Sequence, residues 1–432
     1  MKFLYSDTQD YVDPGYDFIN DRSSAGRERY WDDVYAHELM RQTPYDGLLM
    51  SMSAVRQANG VSASKVRYST KEEQRLLRDG ARKFLRYDGP RFKDAMLMGD
   101  CGAFAYVDHP VPAYTPGEVV EFYSEARFTH GVSPDHIIFD CDPTNPPEKT
   151  VDSAVRERYA ITLANAEAFL GIARGEGSPF EPMGAVQGWS PASMAEAALR
   201  LERMGYRYLA IGGLVPLKVD LIKTVLSAIR GKIKPSTDIH LLGFAKADSI
   251  HEFTDYGITS FDSTSPLIRA FKDDKANYYS EGANGKKLDY YTAIRIPQAM
   301  ENSRLMQGIK RGVFSAEDLQ RREQKALAIL RLFDKGGATV DETLGAVMDY
   351  HQFLLRGDGT GAEQQDRALA KNAALVRRTL EDRPWKRCAC DVCQSVGVEV
   401  IIFRASNRNK RRGFHNLAVY HRHLQNTLGT NA

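Results

Sequence analysis

Short apolar runs alternate with longer amphipathic segments over the first two-thirds of this chain, and that rhythm limits the fold more than any other feature. It is the pattern of repeated β/α units built on a parallel sheet. The runs fall at residues 3–5, 47–51, 95–99, 136–139, 184–186, 208–211, 240–242 and 258–261. Eight repeats predict a closed (β/α)8 TIM barrel, with an open doubly wound sheet as the alternative. The intervening segments carry helix punctuation. Thr115-Pro116-Gly117-Glu118 reads as a capping box with proline at the first helical position. Ser190-Pro191 opens another helix that Gly205 closes, with Met194, Ala198, Leu201 and Met204 on its apolar face.

After Pro297 the rhythm changes to helices alone, with Ser315 capping a helix whose Leu319, Leu327, Leu330 and Phe333 share one side. Three segments are therefore expected: a catalytic barrel over 1–296, a helical insertion over 297–383 and a compact Cys/His-containing, basic unit over 384–432. The 432 residues are 43% hydrophobic and 26% charged, which excludes a fibrous or wholly disordered chain. No apolar run approaches the ~20 residues that span a bilayer. The start turns polar at Ser6-Asp7, too soon for a secretory signal, so no membrane association and a cytoplasmic location are expected.

Charge and cysteine are unevenly spread. No Asp or Glu follows Glu399, whereas Arg404, Arg408, Lys410, Arg411, Arg412 and Arg422 do. A net charge of +2 thus conceals an acidic body and a basic tail. Three of the five cysteines form Cys388-x-Cys390-x-x-Cys393, followed by His415. Three thiolates and an imidazole complete a tetrahedral Zn²⁺ shell with no open position for water, the pattern of a structural metal; His421 and His423 compete for the fourth place. The run Arg404, Arg408, Lys410, Arg411 and Arg412 reads as a basic loop between these ligands, suited to nucleic-acid phosphates, although a charge run is also what a solvated face looks like.

Candidate chemistry gathers at strand ends. Asp100, Asp140 and Asp262 each follow a predicted strand, as do Gln187 and the Gly212-Gly213-Leu214 turn. In a barrel those ends converge on the face where active sites of this architecture are built. Each Asp alone is equally the N-cap of a following helix; together they predict a polar pocket.

In order along the chain, Gly99-Asp100-Cys101-Gly102-Ala103-Phe104, Ile138-Phe139-Asp140, Val186-Gln187-Gly188, Ala210-Ile211-Gly212-Gly213-Leu214, Leu241-Leu242-Gly243, Phe261-Asp262 and the Cys/His signature resemble motifs of the tRNA-guanine transglycosylase superfamily. The resemblance implies that Asp262 attacks C1′ of a guanine nucleotide and that Asp100 acts as general acid/base. It also implies that Asp140 and Gln187 hydrogen-bond the base edge, that Gly213 and Leu214 offer backbone groups, and that Phe104 stacks on the ring. Cys101, Ala103 and Ala105 depart from the family's pattern, as does Ser263-Thr264-Ser265-Pro266-Leu267-Ile268-Arg269 after the nucleophile, the region the tRNA enzymes use to read their substrate. With the helical insertion, these departures are similar to the DNA-guanine transglycosylase branch. That branch implies insertion of a 7-deazaguanine such as preQ0 into DNA within a modification and restriction system, with an ATPase partner. A tRNA enzyme with altered recognition and a non-catalytic nucleic-acid-binding subunit are the alternatives.

Overall fold

The computed structural model describes residues 1–58, 60–244, 246–282, 287–356 and 361–429. The chain divides into two compact units. One comprises Met1–Gln9, Tyr45–Thr264 and Thr427–Ala432; the other comprises Asp10–Pro44 and Ser265–Asn426.

The first unit is a closed barrel of eight parallel strands: β1 (Lys2–Ser6), β2 (Gly47–Ser51), β3 (Met96–Asp100), β4 (His130–Val132), β5 (Glu181–Val186), β6 (Tyr208–Ile211), β7 (Asp238–Leu241) and β8 (Ser260–Ser263). Each pairs with its neighbour in sequence, and β8 closes on β1 with Leu4 opposite Asp262. Inward side chains of Leu4, Leu49, Met96, Met98, Val132, Met183, Ala185, Tyr208 and Ala210 pack into one buried cluster. The barrel is therefore filled rather than hollow. Helices on the outside include α1 (Thr70–Asp79), α2 (Pro116–Glu125), α3 (Ser153–Gly175), α4 (Pro191–Met204) and α5 (Val219–Arg230).

The expected helix ends are present. Thr115 Oγ1 accepts from the Glu118 backbone N–H while Glu118 accepts from Thr115 N–H, which satisfies two of the amides left over at a helix start. Gly205 ends α4 at φ +110, a conformation that favours glycine.

The fourth strand departs from expectation. It is His130–Val132, not 136–139, and the run Ile137-Ile138-Phe139 is loop. Gly131 explains the disguise. A Cβ there would lie 2.4 Å from the Tyr123 ring of α2 and 3.0 Å from Phe180, so close packing of helix on strand demands a residue of poor strand propensity. Tyr123 Oη then donates to Val132 O at 3.1 Å, pinning α2 to β4.

In the second unit, the long helices α6 (Ala316–Asp334), α7 (Val340–Leu355), α8 (Ala362–Asp382) and α9 (Ser406–Leu428) dominate. The first three pack in succession. Their facing residues Leu319, Leu327, Leu330, Phe333, Val347, Tyr350 and Leu380 are buried. Among the described residues, three two-stranded ribbons complete the unit, one of them Tyr278–Glu281 with Leu288–Tyr291. Among the described residues, no helix is long and apolar enough to cross a membrane.

Gly131→Ala tests the Tyr123 contact. Overpacking at this point is expected to destabilise the protein by about 1–3 kcal/mol, read as a lower urea midpoint, whereas Gly117→Ala on the exposed start of α2, where an added Cβ meets nothing within 4 Å, leaves the midpoint unlowered.

Candidate active site

The carboxyl ends of β1, β3, β5 and β8 bring Ser6, Asp100, Gln187 and Asp262 to one mouth. Asp262 is buried and has three polar contacts. Oδ1 takes the backbone N–H of Gly243 at 2.8 Å and faces Nε2 of His240 at 3.2 Å, while Oδ2 takes the hydroxyl of Ser6 at 2.6 Å. Gly243 follows β7 at φ +65, a left-handed turn that aims its N–H back at the carboxylate.

Asp100 is less well satisfied. Oδ2 accepts from the Gly102 backbone at 3.2 Å and the Ser51 side chain also favours the charged form, but Oδ1 is buried with no hydrogen-bond partner among the described residues. Burial, reinforced by the like charges of Asp262 and Asp135, pushes its ionisation up to about 7. A carboxyl poised near neutrality with an open, buried oxygen is suited to passing a proton to a ligand.

Asp140, expected from the sequence to face the base edge, lies exposed in the loop after β4. The carboxylate joined to Gln187 is instead Asp135. Gln187 Nε2 donates to Asp135 Oδ2 at 2.6 Å, its Oε1 accepts from Ile138 N–H at 3.1 Å, and burial raises Asp135 to about 6. Asp135 was missed because the fourth strand was placed six residues late. An Asp three residues beyond Val132 is visible only once that strand is located.

Gly213, at φ +71, brings its backbone so close to this loop that a Cβ would lie 2.5 Å from Ile138 O. Leu214 beside it is buried. Phe104 is 55% exposed, with its ring 5.8 Å from that of Phe139, itself 37% exposed. Two such rings at a mouth offer a flat apolar surface to a planar ligand. Cys101 points into the wall, 3.6 Å from Tyr123 Oη, and burial pushes its thiol well up, so it is no nucleophile here.

In the second unit Cys388, Cys390, Cys393 and His415 converge, one ligand atom from each lying within 4.8 Å of the others. His421 and His423 are buried but outside this group. His415 Nε2 bonds Tyr279 O at 2.8 Å, which directs Nδ1 toward the three sulfurs at 3.3–3.5 Å. The Tyr278 ring stacks on the imidazole at 3.9 Å and its hydroxyl reaches Cys393 Sγ at 3.2 Å. Ligand set and outer supports both fit a metal.

The expected basic loop is corrected by the structure. Residues 404–412 run into the start of α9, and four of the five side chains turn inward. Arg404 pairs with Asp21 and Glu323, and Arg408 with Asp21 and Glu399. Arg411 donates to Asp13 O at 2.9 Å, and Arg412 to Val400 O and Ile402 O at 3.2 Å. Arg408 and Arg412 are fully buried. Lys410 keeps some exposure, its Nζ 3.9 Å from Asp10 and above the Tyr11 ring. Asp21 and Glu323, which pair with Arg404 and Arg408, come from distant parts of the chain, and Arg411 and Arg412 rest on backbone carbonyls, so a local count of charge could not reveal this arrangement.

A filled (β/α)8 barrel with carboxylates at its mouth and a Cys/His cluster that could hold a metal, taken with similarity to a transglycosylase, makes this an enzyme of the pentosyltransferase type. No protein-family model matches the sequence. Over 429 residues, 99% of this chain and 97% of the relative, it is 38% identical to a DNA-guanine transglycosylase of Salmonella montevideo. The chain belongs to the DNA-guanine transglycosylase family.

Two outcomes follow from these geometries. Removing the Arg408 guanidinium by Arg408→Ala leaves Asp21 and Glu399 short of a partner, which is expected to cost about 3–5 kcal/mol in urea unfolding. Asp100, with an ordinary value of 3.8 raised to about 7, holds a proton in the folded state that the unfolded state has released between those values. Its contribution to stability is full below pH 3.8 and is lost as pH rises through 7. Urea midpoints of Asp100→Asn, measured against wild type from pH 5 to 8, are expected to gain on wild type as pH rises.

Proposed function

We propose that this protein exchanges guanine in DNA for a 7-deazaguanine base, preQ0 or a close relative, through a covalent aspartyl-glycosyl intermediate on Asp262. The observation that carries the reading is the pairing of Asp262, held by three polar contacts, with Asp100, whose buried Oδ1 awaits a partner. The near full-length similarity to a DNA-guanine transglycosylase supports DNA as the substrate.

Asp262 attacks C1′. The C1′–O bond forms as the C1′–N9 bond breaks with its electron pair passing to the purine, and protonated Asp100 supplies a proton to the departing guanine. The incoming deazaguanine binds in its place, gives a proton to Asp100 and attacks C1′, returning the bonding pair to the Asp262 carboxylate. Two displacements retain configuration at C1′ and need no nucleotide triphosphate. Phe104 stacks on the base, Gly213 and Leu214 present backbone groups, and Gln187 reads the base edge. Its carboxylate companion is Asp140 by motif and Asp135 by contact. Alanine at each position separates them, since loss of Asp135 also frees the Gln187 amide.

The Cys388, Cys390, Cys393 and His415 group holds Zn²⁺ in a structural role, because four protein donors leave no position for substrate. In duplex DNA neither C1′ nor the base edge is accessible, so the target guanine must leave the stack. An ATPase partner of a cytoplasmic modification and restriction system would supply that opening.

The test incubates the protein, with and without candidate partners, with labelled preQ0 and either plasmid DNA or tRNA, followed by digestion to nucleosides. Label is expected in DNA; label confined to tRNA would overturn the DNA reading. Asp262→Ala is expected to abolish both exchange and the covalent adduct.

A further inference from the structure

Three buried polar side chains inside the barrel lie beyond the proposed reacting groups and connect to Asp262. His240 on β7 is fully buried, with Nε2 3.2 Å from Asp262 Oδ1 and Nδ1 2.7 Å from Ser260 Oγ; Ser260 Oγ lies 2.6 Å from Tyr208 Oη. These groups sit among the apolar side chains that fill the barrel, where an unsatisfied polar atom is costly, so their protons must be arranged to satisfy all of them.

One arrangement does so with a single ring proton. Tyr208, whose hydroxyl burial pushes above its ordinary value, keeps its proton and donates to Ser260. Ser260 donates to His240 Nδ1, and Nε2–H donates to the carboxylate. The opposite order would place a bare Nε2 against a carboxylate oxygen, two acceptors facing one another. The order runs toward the nucleophile, the reverse of a serine hydrolase, in which histidine takes the serine proton. Ser260, fully buried, is out of reach of a substrate.

We infer that His240, oriented by Ser260 and Tyr208, is a positioning residue for Asp262 that assigns its two oxygens different tasks. Oδ1, held by His240 and the Gly243 N–H, stays in place as the carbonyl oxygen of the glycosyl ester. Oδ2 is the attacking atom, because among the described residues its hydrogen-bond donor is the Ser6 hydroxyl, which turns about a single bond. When the second base attacks, the C1′–Oδ2 pair returns to Asp262, and the charge that reappears on the carboxylate meets donors already aimed at Oδ1. Preplaced donors of this kind act most strongly where charge develops. His240 therefore assists release of the intermediate more than its formation. This inference rests on Asp262 being the nucleophile.

The test compares His240→Phe, which fills the site without a donor, with His240→Gln, whose Nε2 can stand where the imidazole Nε2 stood. Exchange of labelled guanine into DNA and trapped protein–DNA adduct are measured for both. His240→Phe is expected to lower turnover about 10²-fold, leave KM within about threefold and raise the fraction of protein trapped as adduct. His240→Gln should recover about tenfold of the turnover and lower the adduct. A wild-type rate in His240→Phe, or no recovery in His240→Gln at an unchanged thermal midpoint, overturns the inference.

Should His240→Phe fail to fold, Ser260→Ala carries the comparison, with a severalfold loss expected and an unchanged rate overturning the relay. Selective ¹⁵N labelling of histidine gives a reading that needs no activity: His240 is expected as the Nε2–H tautomer, and a proton on Nδ1 overturns the proposed order. Exchange persisting in Asp262→Ala would remove the nucleophile assignment itself, whereas its loss there with full exchange in His240→Phe removes the relay alone.

Discussion

Closing eight parallel strands into a filled barrel gathers several carboxylates at one end, and most of what is distinctive about the first unit follows from that crowding. Asp100, Asp135 and Asp262 sit where water is largely excluded, so each must be charged and bonded or protonated. The structure resolves this unequally. Asp262 has three polar contacts, whereas burial pushes Asp100 up to about 7 and Asp135 up to about 6. The backbone geometry adds to the crowding, since the left-handed turns at Gly213 and Gly243 let amides and loops come nearer the mouth than a side chain would permit.

The second unit solves a different problem with the same physics. Its arginines 404, 408, 411 and 412 are buried and tied to carboxylates and backbone carbonyls, and the Cys/His cluster is braced by Tyr278 and Tyr279. A basic tail that looks made for phosphates is thus spent internally, joining α9 to the segment Asp10–Pro44 and to Glu323 and Glu399. Burying a guanidinium is tolerable only with such partners.

Much of the barrel was legible because its signal is local. Alternating runs and caps such as Thr115 with Glu118 depend on neighbours in sequence, and seven of the eight strands lie where apolar runs placed them. The fourth was not legible. Its strand is His130-Gly131-Val132, chosen for the space that Tyr123 and Phe180 require, and the more apolar run that follows is loop. That displacement put Asp140 at an expected strand end, whereas the carboxylate bonded to Gln187 is Asp135. The three cysteines of the cluster that could hold a metal were readable because Cys-x-Cys-x-x-Cys is a short pattern, but that His415 rather than His421 or His423 joins them depends on the bond from its ring to Tyr279 O.

By itself the sequence determined the β/α repeat, the capping residues, the cysteine cluster and the strand-end positions of Asp100, Gln187 and Asp262, because each is set by spacing along one stretch of chain. Tertiary structure alone decided which carboxylates are buried together, which arginines find acids, and that His240, Ser260 and Tyr208 line up behind Asp262. These relations join residues on strands and loops far apart in sequence. Ionisation and hydrogen-bond direction depend on what stands within a few ångströms of a group, and no linear pattern records that distance.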